Sequence, residues 1–134
     1  MNKVAQLLLV LVLLVGCSSP TSSQHTTPSP QVRVVQLPIL DVVMPDSVAL
    51  GDTLIFSARV FAPTPCWHHD HFAFEQRGDT RNVTAFGRQE PGLCVQVTAS
   101  YWASSWSIPT KLGEVTFHFI GQDSVLARTV TVYP

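Results

Sequence analysis

From Gln31 onward, apolar and polar residues alternate in short runs. Thr53–Phe61 puts Leu54, Phe56, Ala58 and Val60 on one face and Ile55, Ser57 and Arg59 on the other. This is the period of a strand with one buried side. Glu114–Ile120 repeats the pattern, with Val115, Phe117 and Phe119 inward and Thr116 and His118 outward. Comparable runs cover Val32–Leu37, Ile39–Val43, Trp67–Gln76, Asn82–Gly87, Leu93–Tyr101 and Val125–Tyr133, separated by Pro, Gly, Asp and Ser. Gly78-Asp79 between two runs predicts a hairpin. In the last run Arg128 shares parity with Leu126, Val130 and Val132, which predicts a bulge or an edge position. No window carries a helical period, and the eighteen Val suit a pleated surface. The expected class is all-β, a sandwich of seven to eight antiparallel strands, with a small β-barrel as the alternative.

The first residues break this pattern. Residues 4–15 are apolar except for Gln6, follow the positive Lys3, and end in Leu14-Val15-Gly16-Cys17. The run is short for a spanning helix, which needs about 20 residues, and suits the apolar core of a signal peptide. Without residues 1–16 the apolar share falls from 46% to about 42%, ordinary for a globular chain. Residues 18–30, SSPTSSQHTTPSP, are almost entirely Ser, Thr and Pro. They have no apolar surface to bury and predict an extended tether in which His25 is simply solvated.

Leu14-Val15-Gly16-Cys17 resembles the lipobox of bacterial lipoproteins. The resemblance implies cleavage before Cys17, diacylglycerol on its thiol, and a membrane-anchored envelope protein. Ser18, in place of an Asp, leans toward the outer membrane over the inner. The expected organisation is a signal peptide over 1–16, the lipidated Cys17 and tether over 17–30, and a folded domain over 31–134. Pro45-Asp46-Ser47-Val48, Gly51-Asp52-Thr53 and Thr131-Val132-Tyr133 resemble the bacterial Ig-like domains of envelope proteins, which implies an immunoglobulin-like sandwich.

Cys66 and Cys94 remain once Cys17 is assigned to lipid. In an oxidising compartment they are expected to pair, stapling the Pro63-Thr64-Pro65 corner to the Leu93–Tyr101 run. No CxxC is present.

Three of the five His fall in Cys66-Trp67-His68-His69-Asp70-His71. If Phe72 and Phe74 face the core, alternation turns His69 and His71 outward. In an Ig-like sandwich the strand carrying His118 would lie alongside. His69, His71 and His118, with Asp70 or Glu75, then form a candidate Zn²⁺ or Cu²⁺ site. The competing reading is a solvated polar face. Tyr101, Trp102 and Trp106 sit in a Ser-rich stretch as a candidate surface for a sugar, peptide or protein partner. The alternative there is that the two Trp plug the open end of the sandwich.

Charge adds little. The residues after the signal segment hold seven basic and nine acidic side chains, scattered singly, which argues against nucleic acid. No G-x-S-x-G, acid–base carboxylate pair or Gly-rich phosphate loop stands out, so an enzyme is not expected. Asn82-Val83-Thr84 fits a glycosylation sequon by chance. The expectation is a non-enzymatic binding or structural module for an envelope protein or glycan. A metal-binding lipoprotein and an inhibitor of a periplasmic hydrolase are the alternatives.

Overall fold

The computed structural model describes residues 32–134. Residues 1–31, on which the expected signal segment, the expected lipidation of Cys17 and the expected tether fall, lie outside the described residues. Among the described residues nine strands run in chain order: β1 (Arg33–Leu37), β2 (Ile39–Val43), β3 (Ser47–Ala49), β4 (Leu54–Ala62), β5 (Trp67–Arg77), β6 (Thr80–Gln89), β7 (Ala99–Ser107), β8 (Gly113–Ile120) and β9 (Val125–Tyr133). They form a six-stranded and a three-stranded sheet packed as a sandwich, which establishes the all-β class. Two separate sheets also set the fold apart from a single closed barrel.

The three-stranded sheet runs β2-β4-β7, antiparallel throughout. In the larger sheet β6 is the hub. Its full length pairs with β5 on one side. On the other side β1 pairs with its second half and β8 with its first. β9 then pairs with β8, and β3 lies parallel beside β9.

Pro38 divides β1 from β2, so one stretch of chain contributes to both sheets. Having no N–H to place in a ladder, Pro38 uses its carbonyl to accept from Phe61 N at 2.9 Å. Leu37 and Ile39 on either side are both buried.

The core lies between the sheets. From β4, Leu54, Phe56, Ala58, Val60 and Ala62 are almost fully covered, and Val83, Ala85, Phe117, Phe119, Val130 and Val132 face them from the larger sheet. Phe56 is the centre, with Phe72 and Phe119 edge-on to it at 5.3 and 5.2 Å. Gly87 leaves room for the buried Leu37 side chain where β1 pairs with β6, and a Cβ there would have to displace it. Gly78, at φ 61°, turns the β5–β6 hairpin, as Gly78-Asp79 leads one to expect.

Two differences from the sequence expectation have physical causes. The run Leu93–Tyr101 becomes a strand only at Ala99, because β4 ends at Ala62, the partner of Ala99, and leaves nothing for residues 93–98 to pair with. The three-residue β3 is too short to show a period. Arg128 causes no bulge: β9 pairs with β8 without a register shift. It takes the edge position that the sequence offered as the other reading, in the half of β9 that β3 does not reach, where an inward-parity cation stays exposed.

Candidate functional site

The histidine-rich segment opens β5, and its geometry depends on one residue. The β5–β6 register passes from His69 opposite Gly87 to His71 opposite Phe86, so Asp70 is bulged out of the ladder. An extra residue in a strand reverses the side of every residue beyond it. His69 therefore shares the inward face of Trp67 and Phe72, and its ring meets Phe72 at 4.5 Å. His71 turns outward and stacks flat on Phe86, with centroids 4.8 Å apart, while its Nδ1 lies 2.7 Å from Asp70 Oδ2. The expectation that His69 and His71 share the outer face is corrected by this bulge.

His118 is also elsewhere. β8 pairs in parallel with β6, and His118 lies opposite Asn82. With β6 between, and four to five residues of offset along it, the His118 backbone is roughly 16–19 Å from His71 and His69. One ion at Zn–N distances near 2 Å cannot bridge that gap. Among the described residues no group of three or more His, Cys, Asp or Glu is gathered for a metal. The Zn or Cu site of His69, His71 and His118 does not assemble.

Burial holds the His69 imidazole below its ordinary value; the neighbouring His71 adds to this and Asp70 opposes it. Its buried Nδ1 has no hydrogen-bond partner, nor has the buried Tyr101 hydroxyl. Both residues line a recess of about 340 Å³ with Trp67, Pro65 and Ala62, where the β5 and β7 edges approach each other. Burial also raises the Tyr101 phenol.

Cys66 and Cys94 are joined, with Cα atoms 6.0 Å apart. The bridge fixes the start of β5 to the connection before β7. Closing a loop of this length contributes about 3–4 kcal/mol in the chain-entropy view. In that connection Leu93, Val95 and Val97 project into solvent.

The aromatic candidates resolve differently. Tyr101 faces inward and is half-buried, but Trp102 and Trp106 stand on the outer face of the three-stranded sheet, 52% and 63% exposed. They do not plug the open end of the sandwich. The β4–β7 register sets Arg59 beside Trp102 and Ile55 beside Trp106. The β2–β4 register adds Asp41 beside Arg59 and Val43 beside Ser57. Between the two Trp, Ser57 and Ser104 hydroxyls bond at 2.7 Å. Arg59 Nε is buried without a partner, and Asp41 spends Oδ1 on the Val42 N–H at 2.8 Å. The outcome is an open patch in which two indoles and Ile55 surround the Ser57–Ser104 pair, with Arg59 and Asp41 side by side at the Trp102 end.

Alternation places Ile55, Ser57 and Arg59 on the outer face of their strand but carries no link from them to the Trp pair. The missing information was that β4 and β7 are neighbours. A second recess, about 460 Å³ and without a sequence signal, lies at the β5–β6 turn and is lined by Arg81, Asp79, Lys111 and Glu114 around Phe117 and Leu112. There Arg81 bonds Gln76 Oε1 at 3.0 Å and Ser107 Oγ, with its guanidinium 5.7 Å over Phe117.

No family model, no curated protein and no solved structure matches this chain.

Proposed function

We propose that this chain is a membrane-anchored envelope lipoprotein whose folded domain is a non-enzymatic binding module, engaging an envelope protein or glycan through the outer face of β2-β4-β7. One observation carries the reading: Trp102 and Trp106 are exposed side by side with Ile55 and Arg59 rather than spent on the core. Leaving two indoles in water forgoes one of the largest apolar contributions a side chain can make to folding. Trp and Arg are also the residue types that dominate binding hot spots, and the indole rings offer flat faces for sugar rings. The Cys17 anchor and the Ser/Thr/Pro tether would hold this face clear of the bilayer, within reach of its ligand.

Purified full chain in detergent is titrated with peptidoglycan fragments and, separately, with solubilised outer-membrane proteins, following Trp emission. The double variant Trp102→Ala/Trp106→Ala should lose at least about tenfold in affinity for whichever ligand binds, while its stability changes by no more than about 0.5 kcal/mol, as exposed substitutions do. Unchanged affinity in the double variant would remove this face from the function. Labelled palmitate that still enters a Cys17→Ala chain would end the lipoprotein reading.

A further inference from the structure

Every sheet has edges, and edges with free N–H and C=O groups invite another strand unless something blunts them. This protein blunts its edges unevenly. β2 carries a register shift between Ile39 and Asp41, and the charge of Asp41. β3 has only three residues. β5 is bulged at Asp70 and carries Asp70, Glu75 and Arg77. β7 has none of these devices. Its nine residues, ASYWASSWS, include no charge, Pro or Gly. They pair with β4 over their whole length without a register shift, and β4 is their only strand partner among the described residues.

We infer that β7 is a self-association edge: two copies of this chain pair β7 with β7, antiparallel, about a two-fold axis at Ala103. Only this register pairs all nine residues, Ala99 with Ser107 at the ends and Ala103 with itself at the centre. On the outer face it sets Trp102 against Ser104 of the second copy, and Trp106 against Ser100. Each large ring meets a small neighbour, and no like charges oppose. On the inner face Tyr101 of the second copy comes beside Ser105. Ser105 neighbours Phe56 in the sheet, and Phe56 touches Phe74 at 6.2 Å. Phe74 faces the opposing sheet yet is 42% exposed, because no described strand lies beyond β7 to cover it. A second β7 covers it.

The contact is modest. Nine residues give an edge about 31 Å long, and with a layer spacing of about 10 Å the buried surface is on the order of 600 Å² in total. Durable interfaces bury about 1,200–2,000 Å². The association is therefore a weak, reversible one, in the high-micromolar range. It leaves the Trp-bearing face open and joins two of them into one six-stranded surface. The inference stands on the backbone edge and needs no ligand for that face.

The test is sedimentation equilibrium of the full chain in detergent from about 10 µM to about 1 mM, a range that brackets a weak dimer. The expected result is mass rising from monomer toward dimer, with Ser104→Lys weakening it at least about tenfold, since a lysine on an edge opposes pairing. Separately, mixing Ser100→Cys chains with Trp106→Cys chains should give an interchain disulfide, because paired Cα atoms sit about 4.5–5.5 Å apart. Ser100→Cys alone should give none. A chain that stays monomeric throughout overturns the inference. So does a dimer that ignores Ser104→Lys and fails to cross-link. If Ser104→Lys does not fold, the cysteine pair decides alone.

Discussion

β5 and β7 are the two long edge strands on one side of the sandwich, and they solve opposite problems. β5 concentrates titratable residues, yet its Asp70 bulge deals them to different faces: His69 onto Phe72, His71 onto Phe86. β7 is chemically plain, runs straight, and holds two indoles in the open. The segment with the most conspicuous chemistry in the sequence is thus the structural one, while the Ser-rich segment beside it presents the surface. Clustering along a chain and clustering in space differ by a single bulged residue.

The comparison has a common anchor, Phe56 of β4, which neighbours Ser105 of β7 within its own sheet and meets Phe72 and Phe74 of β5 across the core. Phe56→Ala should cost about 3–5 kcal/mol and loosen β5 and β7 together, as denaturant melts and amide exchange would register. Protection lost on one strand alone would mean that the two edges do not share one core. The next effect is one-sided. Cys66→Ala/Cys94→Ala should cost about 3–4 kcal/mol and lower exchange protection at Trp67–His69 before the Ile55-paired end of β7. Equal loss along β7 would show the bridge acting on the whole fold.

The smallest effect is confined to β5. Burial depresses the His69 value, so the unfolded chain binds the proton more readily. Stability from the neutral ring is fully present above the unfolded value near 6.5 and falls as pH drops below it, levelling off beneath the folded value. His69→Phe should flatten that acid-side decline in urea melts. A decline that survives unchanged assigns it to other groups.

Period-two patterning was enough to read the class and most strands, because Leu54, Phe56, Ala58 and Val60 alternate cleanly and the core needs them to. The limits came from contacts between strands. Residues 93–98 alternate as convincingly as any strand, but β4 runs out at Ala62 and the Cys66–Cys94 bridge holds them beside β5. The expected pairing of the histidine strand with the strand of His118 failed because β6 lies between them, a matter of topology that alternation does not encode. Of the candidate site, the exposed indoles were nameable from sequence; Arg59 and Ile55 joined them only through the β4–β7 register.

Pro38 gives the molecule a mechanical property. Because the chain passes from β1 in one sheet to β2 in the other at that residue, tension applied at Val32 reaches both layers. The five β1–β6 residue pairs carry the load first. Once they part, the force transfers through Pro38 into the β2–β4 ladder. A pull from the N-terminal side is therefore resisted by two sheets in series, and the outer face of β2-β4-β7 stays formed until the first of them has given way.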